Sequence, residues 1–126
     1  MRTVKVLLLD GVPECLPELD MFNVKLDIIP EILLGAHDLY SPPPELCEFV
    51  RRVTSINLVD LVVIGNNLGA GLVKAQAVAE DMKPKTIVTW NTYRKGEERL
   101  YLAHGLRHFC SRIDLPLKVP EVLGLR

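Results

Sequence analysis

Short, dense apolar runs alternate with segments of helical pattern, and this alternation restricts the chain to a narrow set of folds. The run from Val4 to Leu9 is nearly continuous and stops at Asp10-Gly11, as a strand buried on both faces reads. Val24 to Ile29 alternates apolar and polar residues before Pro30, the mark of a strand with one wetter face. Leu58 to Ile64 is apolar except for Asp60, rich in β-branched residues and closed by Gly65. Thr86 to Trp90 is a fourth run of this type, and Arg107 to Ser111 a shorter fifth.

Between these runs lie helical signals. Pro42, Pro43 and Pro44 precede Glu45, and proline in a first turn pre-sets φ for a helix. Leu46, Phe49, Val50 and Val53 then fall on one stripe at i, i+3, i+4, i+7. An Ala-rich helix is expected from Leu72 to Met82, ended by Pro84, and another from Glu97 to about Ala103, ending near Gly105. Pro13 and Pro17 leave no room for a long helix between the first two strands, so a short or irregular turn is expected there. Pro116 and Pro120 keep any last helix short. Parallel strands joined by helical crossovers, five in number, imply an α/β fold. The expected form is one doubly wound, flavodoxin-like five-stranded parallel sheet with helices on both faces, a single domain over residues 1–126.

Composition sets the outer limits. At 126 residues with 48% hydrophobic content, the chain can bury one core without disulfide or metal staples. A formal charge of −1 gives no global attraction to nucleic acid or an anionic membrane. Cys15, Cys47 and Cys110 are odd in number and widely spaced, which suits a reducing compartment and neither a disulfide framework nor a zinc ribbon. The first apolar run is too short for a signal peptide, and no later segment approaches the roughly 20 apolar residues of a membrane span. The expected location is the cytoplasm.

Ligands of open α/β sheets bind at the carboxyl ends of the strands. There the sequence places Asp10, the stretch Gly65-Asn66-Asn67-Leu68-Gly69-Ala70-Gly71, Thr89, Asn91 and Arg112. The glycine-rich stretch matches neither the dinucleotide fingerprint nor the P-loop. It reads either as a tight strand-to-helix turn or as a cradle of backbone N–H groups for an anion. His104 and His108 are spaced i, i+4, but Gly105 separates them and no acid or cysteine completes a metal set. His37-Asp38 reads as solvated loop. No cofactor, metal or catalytic residue is expected.

Asp60-Leu61-Val62-Val63-Ile64-Gly65 resembles the third strand of bacterial response-regulator receiver domains, which usually ends in the phosphoacceptor aspartate. Thr89 falls where receivers place a small hydroxyl residue after strand four. The stretch from Glu97 to Arg112 is similar to a receiver's fourth helix and fifth strand, with Gly105, Phe109 and Arg112 at familiar places. The likeness is close over residues 58–112 and loose over 1–57. The departures are chemical. The acidic pair that follows a receiver's first strand is here the single Asp10, the phosphoacceptor position is Gly65, and the family's lysine is Arg112, followed by Ile113 in place of proline. Magnesium wants several hard oxygen ligands, and a carboxylate is the nucleophile that forms an acyl phosphate. The resemblance therefore implies a non-phosphorylatable, pseudo-receiver-like module that binds another protein or itself as a homodimer. Its expected interaction surface is Trp90, Tyr93, Arg99, Tyr101 and Phe109, since aromatic and arginine side chains dominate interface energies. The alternative is a small-molecule or phosphate-binding protein, an enzyme among the forms left open, with a site of Asp10, Gly65, Asn66, Asn67, Gly69, Thr89, Asn91 and Arg112.

Overall fold

A computed structural model describes residues 1–9, 13–30, 42, 44–66 and 71–125. Five strands form one parallel sheet: β1 (Arg2–Leu9), β2 (Val24–Pro30), β3 (Leu61–Gly65), β4 (Thr86–Trp90) and β5 (His108–Ser111). Their order is β2-β1-β3-β4-β5, the doubly wound, flavodoxin-like arrangement expected from the alternation of runs. Register pairs Leu9 with Ile64, Gly65 with Thr89 and Trp90 with Ser111, so the strand ends converge on one edge.

Side chains leave a strand alternately to its two faces, and the sheet buries both. On one face Leu7, Leu9, Val62, Ile64, Val88 and Trp90 pack beneath α1 (Pro44–Asn57), α2 (Gly71–Ala77) and α3 (Glu98–Leu102). On the other, Val4, Val6, Leu8, Val63, Ile87 and Cys110 pack beneath α4 (Leu115–Val122), with Leu16, Leu19 and Phe22 from the β1–β2 connection. Leu46, Val50 and Val53 of the expected α1 stripe are buried, and Phe49 is packed against them. Among the described residues no helix is long and apolar enough to cross a membrane.

Two local features depart from the pattern, and two others follow it. β3 begins at Leu61, not Leu58, because Leu58 takes a left-handed φ of +51° just past the end of α1 and stays exposed. That conformation costs a non-glycine residue about 1 kcal/mol and terminates the helix as glycine usually does. Asp60 then joins the sheet through its side chain: its N–H donates to Lys5 O at 2.8 Å, and its Oδ2 accepts from Lys5 N at 3.0 Å. The Ala-rich helix ends at Ala77 rather than Met82. Ala79 is extended, and a 3-10 turn, Glu80–Lys85, follows with Pro84 inside it. Its geometry is closed by Thr86 Oγ1, which donates to Met82 O at 2.7 Å in the core. Between β1 and β2 the described chain forms only two short 3-10 turns, Pro13–Cys15 and Asp20–Phe22, as the prolines indicated. After α3, Gly105 at φ +86° completes a Schellman closure, with Leu106 N–H on Tyr101 O and Gly105 N–H on Leu102 O.

Candidate functional site

The carboxyl edge of the sheet is organised around one side chain that the sequence pattern did not single out, Glu97. Its Oε1 accepts from Trp90 Nε1 at 3.3 Å and from Asn66 Nδ2 at 3.4 Å. Its Oε2 lies 3.6 Å from Arg94 Nη1. Asn66 sits just past β3, where its N–H donates to Thr89 O and its Oδ1 accepts from Gly71 N–H at 3.0 Å. Asn66 and Glu97 together fasten the ends of β3 and β4 to the starts of α2 and α3. The approach is close: a Cβ at Gly71 would lie 2.7 Å from Tyr101 Oη and 2.8 Å from Asn66 Oδ1. Glycine is needed there for space.

An aromatic cluster backs this network. Trp90 meets Tyr93 and Tyr101 edge-on with centroids 5.5 Å apart in both cases, and Phe109 lies 6.2–6.3 Å from Trp90 and Tyr101. Trp90 and Tyr101 are buried and Phe109 is half-buried, so these three shape the face from beneath. Tyr93, Arg99, Leu100 and Leu102 reach solvent from it. Burial first, and then the charge of Glu97, holds the Tyr101 phenol above its ordinary range. Partial burial and then the Glu98 carboxylate push Tyr93 up to about 12.

The opposite face of the same edge carries a shallow cleft of about 450 Å³ lined by Cys15, Asn91, Arg112, Ile113 and Pro116. Asn91 and Arg112 follow Thr89 and Cys110 by two residues along β4 and β5, and the register that pairs Trp90 with Ser111 brings them side by side. Arg112 is half-buried and forms no ion pair among the described residues. Thr89 is buried on this face. Its hydroxyl eases ionisation of the neighbouring Cys110 thiol, yet no contact meets hydrogen-bond geometry, so Oγ1 is unpartnered among the described residues.

Of the residues expected for a ligand site, Asn91 and Arg112 come together, with Thr89 in the layer below. Asn66 faces the other side and is engaged by Gly71 and Glu97. Gly65, buried, ends β3 without a side chain. Asp10, Asn67 and Gly69, with His37 and Asp38, lie outside the described residues. Among the described residues no three His, Cys, Asp or Glu side chains gather in a way that could hold a metal ion. Cys15 joins the cleft only because the chain folds back after β1, and nothing in its spacing to Arg112 signals that. Glu97 had a weak local signal, an acid near a helix start beside a lone tryptophan.

No protein-family model matches the chain, and no curated protein matches it significantly.

Proposed function

We propose that the chain is a receiver-like interaction module that does not carry a phosphoryl group. The observation supporting this most directly is the end of β3. There the 2-1-3-4-5 sheet presents the buried Gly65, and the next side chain, Asn66, is committed to holding α2 and α3 in place. Neither residue offers a carboxylate nucleophile for acyl phosphate formation. Solvent-facing Tyr93, Arg99, Leu100 and Leu102, carried on a braced aromatic layer, are suited to a protein contact with a second copy or another chain.

Native mass spectrometry of gently purified protein tests this reading. A dimer, or a complex that dissociates on Tyr93→Ala or Arg99→Glu while the fold persists, supports it. Intact-mass measurement after incubation with acetyl phosphate and magnesium gives the opposing result: a stoichiometric, base-labile phosphoryl adduct sinks the proposal.

A second reading, a small anionic ligand held without covalent chemistry, is favoured by Arg112, which forms no ion pair among the described residues and lies beside Asn91 in the cleft. In that case a retained small molecule leaves on Arg112→Gln or Asn91→Ala and is indifferent to Tyr93→Ala. Asn66→Ala does not discriminate between the two readings, because its loss loosens the edge itself.

A further inference from the structure

In a doubly wound sheet each parallel crossover ordinarily lays a helix over one face. The β1–β2 connection departs from this, supplying only two three-residue turns over its described stretch. Among the described residues, the face that α4 covers at the β5 side carries no helix at the β2 side, where only Leu16, Leu19 and Phe22 of the connection pack. A groove of about 500 Å³ lies there. Its floor includes Leu16, Leu26 and Ile28, all half-buried, although each packs on the core beneath. Its rim carries Glu14, Glu18 and Asp20, all exposed. None of the three carboxylates makes an ion pair or a side-chain hydrogen bond among the described residues. Among the described residues of the lining, Lys25 carries the one cationic side chain.

We propose that this groove docks a basic amphipathic helix of a partner protein, which supplies in trans the helix that the β1–β2 crossover leaves out. The apolar floor on the sheet face takes the helix's apolar stripe, as a helix of the chain itself would lie there, and the exposed carboxylates of the rim face Lys or Arg on its flanks. The occupant lies over the face of the sheet and does not extend it at the β2 edge. The surface is also remote from the α3 face: β2 and β5 are opposite edges of the sheet, and α3 covers the other side.

A labelled Leu/Lys peptide with leucines at i, i+3, i+4 and i+7, and a scrambled isomer of the same composition, serve as probes in fluorescence anisotropy. The amphipathic peptide is expected to bind saturably, at least tenfold more tightly than the isomer, and more weakly as salt screens the rim. Combined Glu14→Lys, Glu18→Lys and Asp20→Lys reversal is expected to weaken binding at least tenfold. These side chains are solvated, so the fold should persist, as circular dichroism will show. Leu26→Glu should abolish binding, whereas Tyr93→Ala and Arg99→Glu should leave it unchanged, which separates this surface from the α3 face. Equal binding of the scrambled isomer, indifference to the rim reversal, or no saturable binding overturns the proposal. So does sedimentation showing that a second copy of this chain occupies the groove.

Discussion

Glu97 accepts a hydrogen bond from Trp90 Nε1 across 3.3 Å, so the residue that precedes α3 holds the indole at the end of β4. The same oxygen receives Asn66 Nδ2, which makes Glu97 the point where β3, β4, α2 and α3 meet. Removing an acceptor that serves two N–H groups, one on a buried ring, leaves donors unsatisfied. Glu97→Ala is therefore expected to destabilise by roughly 1–3 kcal/mol, and Glu97→Gln by less, since an acceptor oxygen remains. Arg94→Ala should change stability by less than about 0.5 kcal/mol, its contact with Glu97 being solvent-exposed. Urea unfolding followed by the fluorescence of Trp90, the chain's one tryptophan, measures all three. A Glu97→Ala protein as stable as the parent would refute the role given to Glu97.

Two threonines of β4 make a matched pair. Thr86 Oγ1 donates to Met82 O, whereas Thr89 Oγ1, beside the Cys110 thiol, is buried without a hydrogen-bond partner among the described residues. Thr86→Val removes a satisfied buried bond, with an expected loss of about 1 kcal/mol. Thr89→Val keeps the shape and removes an uncompensated hydroxyl, so it is expected to be neutral or stabilising. The two urea midpoints should move apart. A Thr89→Val loss equal to that of Thr86→Val would show that the Thr89 hydroxyl is bonded after all.

Alkaline pH should unfold the protein progressively. Burial pushes the Cys110 thiol up to about 11, with the Thr89 hydroxyl and Lys118 acting against it, and holds the Tyr101 phenol above its usual range. The folded state keeps these protons after the unfolded chain has released them. The stabilisation is thus complete below the unfolded values of 9.0 for the thiol and 10.0 for the phenol, and is lost as pH rises through the folded ones. Stability should fall steadily above about pH 9. In a thiol-reagent assay at neutral pH, the half-buried Cys15 and Cys47 should react before the buried Cys110, which should wait for unfolding. Three equally fast thiols in the native protein would contradict this.

His108 gives the acid-side counterpart. Burial first, and then Lys118, lowers its pKa, with Lys85 in the same direction and Glu121 and the Pro84 backbone opposing. A base depressed in the folded state contributes fully above its unfolded value of 6.5, and that contribution is lost as pH falls through the folded value. His108→Gln should flatten the stability profile below about pH 6.5, whereas an unchanged slope would place the acid sensitivity elsewhere.

The strands, their parallel pairing and the sheet order were legible because each rests on a local pattern plus a topological rule. Thr86–Trp90 is bounded as its apolar run indicated, and the absence of a carboxylate at Gly65 needs no fold to be read. Helix ends were less legible: Leu58 adopts a left-handed φ that propensity disfavours, and Ala79 turns extended so that Met82 can enter the core. The sites were least legible. Glu97 finds Trp90 and Asn66, Cys15 finds Arg112, and the acidic rim finds its apolar floor only when register and crossovers bring distant segments together. Residue type and period determined which segments would be buried. Which polar groups would meet at the edge, and which segments would line a common groove, was decided by the tertiary structure, because those contacts join parts of the chain that no local pattern relates.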